Sequence, residues 1–245
     1  MRRLRSSTLV RALVTLLAGC APESGDEACE DGTAVSSLQA LTGAARRPRA
    51  LVIRDVAAAS GLTNGALLGG IAEVESGLSH CWSEAKWACQ GPYSSSCDGP
   101  VIAGAADGAC SAQQGGLGMF QFDGGNYAQT LARDGEAILT IEGNVEHAVE
   151  FLVAMVERHI DGVESDEEAL DWLNAIPVEA GDPLFQQWGE LLACRYNGRC
   201  GSEQQATKYR TATLKLASEF GDDFWSVEEL IEPEPGGPMS SGCPR

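Results

Sequence analysis

The chain has 245 residues, 44% of them hydrophobic, and 17 Lys+Arg against 35 Asp+Glu give a formal charge of −18. A surface that tracks phosphates needs a net basic footprint, so nucleic acid is excluded as the main partner. Ample Leu, Val and Ala exclude a wholly disordered chain, and the length suits one sizeable core.

Residues 1–19 join a basic start (Arg2, Arg3, Arg5, Arg11) to the apolar stretch Ala12–Leu17, which predicts an export signal. Leu17-Ala18-Gly19-Cys20 looks like the lipobox of bacterial lipoproteins. That resemblance implies a lipidated Cys20 as the first residue after cleavage and a membrane anchor of several acyl chains. Ala21 is compatible with sorting to an outer membrane, facing the periplasm. Eight cysteines then remain: Cys29, Cys81, Cys89, Cys97, Cys110, Cys194, Cys200 and Cys243. An even number in an oxidising compartment predicts four disulfides, and spacing does not fix the pairing. Cys194 and Cys200 are candidates for one bridge across a short loop. No CxxC occurs and there are three histidines, so a zinc site is not expected, nor any other cofactor.

Residues 20–50 mix Ser, Gly, Ala and charge, including Arg46-Arg47-Pro48-Arg49, and read as a tether to a domain spanning 51–231. Helical spacing begins near 51–59, breaks at Gly61, and resumes behind Thr63 or Asn64 as cap to about Leu78. Residues 79–117 hold four cysteines with many Gly and Ser, predicting a disulfide-stapled excursion with little regular structure. Asn144 is a candidate cap for a helix whose Val145, Val149, Leu152 and Val156 form a core face. Ser165 with Glu168 forms a capping-box pattern, Asp182-Pro183 opens a further helix, and another spans roughly 203–220 before Gly221. Residues 232–245, rich in Pro and Gly, predict an irregular tail.

The segment Ala66–Leu78 carries two glutamates among apolar residues. On a helix Glu75 falls inside the arc of Leu67, Leu68, Ile71, Val74 and Leu78, and Glu73 falls opposite, on the side expected to be solvated. A carboxyl group on a core-facing stripe loses hydration, which raises its pKa and suits a general acid. Glu75 is the candidate acid. His80, His147 and His159 form no HExxH; His80 is a candidate for bordering a cleft, and His159 reads as partly buried.

Three separated motifs carry a resemblance to a known family. Glu75-Ser76-Gly77, ending an Ala/Ile-rich helix, resembles the Glu-Ser signature of goose-type lysozymes and soluble lytic transglycosylases. Gly118-Met119-Phe120-Gln121-Phe122-Asp123 is similar to their Gly-Leu-Met-Gln motif, with an acidic residue two places after Gln as in the goose-type enzymes. Cys194-Arg195-Tyr196-Asn197-Gly198 resembles their Ala-Tyr-Asn-Ala-Gly segment. The motifs stand in the family order over about residues 51–220.

The resemblance implies a mainly α, lysozyme-like fold whose cleft binds peptidoglycan glycan strands. It implies that Glu75 protonates the glycosidic oxygen, that Gln121 and Tyr196 hold the sugar and position Glu75, that Ser76 orients the acid, and that Asn197 shapes a turn. Met119, Phe120 and Phe122 are expected in the core. Asp123 is the best-placed second carboxylate, ahead of Asp98 and Asp107. A hydrolase commonly sets a second carboxylate about 5–9 Å from the acid. A lytic transglycosylase needs none, because the substrate's own 6-hydroxyl attacks. The latter is favoured by analogy with bacterial lipoproteins of this fold. The alternative is a non-catalytic lysozyme-like module that grips glycan or an envelope protein. The chain departs from the family in its long 79–117 excursion and in Ala112, which stands where a serine is expected.

Overall fold

The computed structural model describes Leu41 and residues 43–85, 87–104, 110 and 115–227. The expected signal, Cys20, Cys29, Asp107, Ala112, Cys243 and the tail 232–245 lie outside these residues. The described chain is mainly helical: α1 (Gly43–Ala59), α2 (Gly65–Ser76), α3 (Tyr127–Asp134), α4 (Ile141–His159), α5 (Asp166–Asn174), α6 (Pro183–Leu191), α7 (Glu203–Phe220) and the short α8 (Asp222–Trp225). Strands β1 (Cys89–Ser94) and β2 (Gly99–Ala103) pair antiparallel, with Cys89 opposite Ala103 and Ser94 opposite Gly99.

Helix α2 is the axis of the core. Ten of its twelve residues are buried, and α1 and α7 pack along it. Gly69 and Gly70 make that approach achievable, since a Cβ on Gly70 would stand 1.9 Å from Thr213 Oγ1 and one on Gly69 2.9 Å from the Trp225 ring. Leu67, Leu68 and Ile71 are fully buried on the same helix, each contributing roughly 2 kcal/mol through loss of apolar surface to water.

Local signals place the later helices where the sequence predicts them. Ser165 caps α5 by accepting from the Glu168 N–H at 3.3 Å. Asp182 caps α6 through the amides of Leu184 and Phe185, with Pro183 in the first turn. Helix α7 runs from Glu203 to Phe220 and stops at Gly221.

Long-range contacts override other local expectations. Helix α1 begins at Gly43, inside the stretch expected as tether, because Arg46 and Arg49 are buried rather than solvated. Arg46 pairs with Glu73 (3.0 Å) and Glu219 (2.8 Å), and Lys215 also pairs with Glu73. Glu73 is therefore not solvated: its side chain is 10% exposed, enclosed where α1 and α7 cover the back of α2. Asn64 precedes α2 without capping it; its side chain donates to the carbonyls of Ile176 and Leu173, and Asn174 Oδ1 receives the Thr63 and Asn64 amides. Helix α4 starts earlier than expected, at Ile141 with Thr140 as cap, and Asn144 is buried inside it.

The excursion is more regular than expected. It forms the β1–β2 hairpin, closed at Asp98 in the left-handed region (φ 47°). Disulfides Cys81–Cys97 and Cys89–Cys110 staple it, and Cys194–Cys200 closes the short loop expected from the sequence. These are the three bridges among the described residues.

Candidate active site

Helix α2 ends abruptly, and that ending aims Glu75. Gly77 and Leu78 both take left-handed backbone (φ 60° and 67°), and their amides return to the carbonyls of Glu73 and Ala72. Glycine adopts this conformation without cost; a leucine does so only where packing holds it. The Arg49 guanidinium supplies that hold through the Leu78 carbonyl (2.8 Å) and Glu84 (2.8 Å), whose other oxygen receives the amides of His80 and Cys81. Guanidinium and backbone N–H groups hold the Glu84 carboxyl below its usual pKa, against the opposing effect of burial.

The second motif is a tight hairpin turn. Leu117 and Phe122 exchange both backbone hydrogen bonds, with Gly118 (φ 71°) and Gln121 (φ 53°) in left-handed conformation between them. Three buried side chains fix it. Ser76 Oγ donates to the Met119 carbonyl at 2.8 Å, with Ala72 O at 3.1 Å as the alternative acceptor. Asn144 accepts from the Phe120 amide (3.1 Å) and donates to the Ile138 carbonyl (2.9 Å). His80, fully buried, donates from Nε2 to the Leu139 carbonyl at 3.0 Å and accepts the Met119 N–H at Nδ1. Only the neutral imidazole can do both, and burial lowers the His80 pKa to about 4.

The third motif approaches from the other side. The chain leaves α6 through a single π-helical turn, Leu192–Tyr196. Tyr196 donates its hydroxyl to the Phe120 carbonyl at 2.5 Å. Its ring meets Phe151 and Tyr209 edge-on, at centroid distances of 5.5 and 6.3 Å. Tyr209, fully buried on α7, donates to Glu75 Oε1 at 2.5 Å, and the side chains of Asn197 and Gln205 hydrogen-bond the Tyr209 hydroxyl in turn.

Desolvation raises the Glu75 pKa, opposed by the Tyr209 hydrogen bond and the positive charge of Lys208. Burial together with the nearby Glu75 carboxylate raises the pKa of Tyr196 and of Tyr209, so both phenols stay protonated as donors. Glu75 itself remains half-buried. It is thus a carboxyl group held in its acid form at the surface of the core, oriented by a fixed phenol. That combination can deliver a proton and take one back.

The three motifs meet around one carboxyl group, although several side chains act differently from the expectation. Ser76 bonds the Met119 backbone rather than Glu75. Gln121 turns its Nε2 to the Gly118 carbonyl at 2.6 Å, bracing its own turn. Asp123 is exposed, caps the Gly125 amide at 2.7 Å, and is not among the groups that shift Glu75. His80 lies beneath the site rather than at its border. Met119, Phe120 and Phe122 are in the core, as expected. Tyr209, Asn144 and Arg49 were not legible as site residues, since each sits at a position that packing or helix formation alone would explain. Cavities of about 370 Å3 beside Asn64 and Trp225 and about 530 Å3 beside His159 and Trp172 include none of the candidate residues.

Comparison with protein-family models, with curated proteins and with solved structures gave no match.

Proposed function

We propose that the chain cleaves β-1,4 glycosidic bonds in peptidoglycan glycan strands, with Glu75 as acid and then base. The supporting observation is the Glu75–Tyr209 pair at 2.5 Å, set where the Gly118–Phe122 turn and Tyr196 converge. Protonation of the glycosidic oxygen by Glu75 would release the leaving sugar. The carboxylate so formed, stabilised by the Tyr209 hydroxyl and by Lys208, would then accept a proton from the attacking group.

The attack favoured is intramolecular, by the 6-hydroxyl of the cleaved sugar, as in a lytic transglycosylase. A carboxylate close enough to serve as nucleophile or base for water would repel a charge on Glu75, and among the described residues no acidic group contributes such an effect. The lipoprotein reading, anchorage through Cys20 and an envelope location belong to the same proposal, and the disulfides fit an oxidising compartment. No helix among the described residues is long and apolar enough to cross a membrane, so a membrane link through this chain would rest on the lipid.

The test is release of soluble glycan fragments from purified peptidoglycan. The wild type should release them and Glu75→Gln should not. Tight binding of glycan with no release at any pH between about 4 and 8, the range in which such a carboxyl group titrates, would overturn the enzyme in favour of a binding module.

A further inference from the structure

The third motif differs from the family segment it resembles in being bracketed by a disulfide. Cys194 and Cys200 close a loop of sequence separation 6, and the residues between them include both Tyr196 and Asn197. Tyr196 reaches the Phe120 carbonyl of the second motif, and Asn197 reaches the hydroxyl of Tyr209, which donates to Glu75. The loop has little else to order it. It follows a single π-helical turn, Gly198 and Gly201 take left-handed backbone (φ 71° and 75°), and residues 197–201 are exposed. The bridge is also reachable: Cys200 is exposed, Cys194 is half-buried, and a cavity of about 290 Å3 opens against Cys194, Gly201 and Ser202. The cysteines of the other bridges are more enclosed at one end, Cys81 and Cys89 being 6% and 5% exposed.

We infer that the Cys194–Cys200 disulfide is a redox-sensitive clamp on the candidate acid, active when closed and released by a dithiol reductant. The inference rests on the reading of Glu75 as acid. Chemically, one thiolate of the reductant attacks the exposed Cys200 Sγ, and Cys194 leaves as a thiolate that takes up a proton. The second thiol of the reductant attacks the mixed disulfide and frees Cys200. Two electrons and two protons reach the protein, and the reductant becomes a cyclic disulfide. With the loop released, Tyr196 and Asn197 lose their fixed positions, water gains access beside Tyr209, and Glu75 loses both orientation and desolvation. The ionisable groups facing Glu75 are Tyr209 and Lys208 from α7 and Tyr196 from the π-helical turn.

The test uses the full chain, comparing wild type with Cys194→Ser/Cys200→Ser and with wild type treated with graded dithiothreitol. Alkylation and mass mapping identify which bridges have opened. Two readouts are followed: the rate of fragment release from peptidoglycan, and the titration of the Glu75 carboxyl by 13C NMR. The clamp predicts a kcat lowered about tenfold or more with KM within about twofold, as for a misplaced catalytic group. Loss of activity in the wild type should track alkylation of Cys194 and Cys200, and the Glu75 pKa should move down toward the ordinary glutamate range. Should the double variant fail to fold, wild type opened at this bridge alone carries the same readouts. A folded, open-loop protein whose kcat and Glu75 titration match the closed wild type overturns the clamp. If the closed wild type releases no fragments, glycan cleavage fails as a reading, and the Glu75 titration still decides the clamp.

Discussion

Acidification should weaken this fold through one buried histidine. His80 holds the second-motif turn by accepting the Met119 amide and donating to Leu139, and protonation abolishes the acceptor. Its folded pKa of about 4 lies below the unfolded value of 6.5. The folded state therefore resists the proton more than the unfolded chain does. The stability conferred by the neutral ring is fully present above pH 6.5 and is lost as pH falls toward 4. With about 1.4 kcal/mol per unit of separation, the whole window is worth about 3 kcal/mol, and the part between pH 7 and 4.5 about 2 kcal/mol. For a domain of this size that corresponds to a fall in Tm of about 4–8 °C. Thermal unfolding followed by circular dichroism at the two pH values, for wild type and His80→Gln, isolates the effect. Glu84, Glu203 and Glu219 have lowered pKa values and Glu75 a raised one, and these act in both proteins and cancel. The wild type should lose more stability on acidification than the variant, by that margin. Equal losses would show that His80 is not the neutral acceptor beneath the turn.

Three further outcomes are expected. Tyr209→Phe removes the donor that stabilises the Glu75 carboxylate, so kcat should fall by about tenfold or more, and the basic limb of the pH–rate profile should move to higher pH. Glu75→Gln should stabilise the fold increasingly as pH rises from about 4.5 toward 8, because a raised folded pKa means that the ionised carboxyl costs stability there; urea midpoints across that range read the trend, and a pH-independent difference would contradict it. Gly70→Ala, whose Cβ would collide with Thr213, should destabilise by about 1–3 kcal/mol through overpacking, and recovery in Gly70→Ala/Thr213→Ala would tie the loss to that contact.

What the sequence reveals is set by how local each signal is. Ser165, Asp182-Pro183 and Gly221 mark helix ends through contacts within a few residues, and all three are where the patterns put them. Glu75 was legible because an acidic residue broke an apolar arc. The start of α1 was not, because Arg46 and Arg49 read as a solvated cluster until the fold brings Glu73, Glu219 and Glu84 to them. Asn64 and Asn144 had the chemistry of caps, yet both spend their side chains on backbone distant in sequence. The β1–β2 hairpin carries too few apolar residues in alternation to be seen, and its order comes with two disulfides whose pairing spacing does not encode. Tyr209 fits the buried face of α7 like any core residue; only its distance to Glu75 distinguishes it.

The central claim is that Glu75 alone, oriented by Tyr209, breaks a glycosidic bond without water. Mass spectrometry of fragments released from purified peptidoglycan by the full chain, run beside Glu75→Gln, tests it directly. The account predicts fragments ending in an anhydro-sugar, lighter by one water than a reducing end, from the wild type and none from the variant. Reducing ends would contradict the attack by the substrate's own hydroxyl and require a base for water. Equal release by Glu75→Gln, or no release by the wild type, would contradict the role of Glu75 itself.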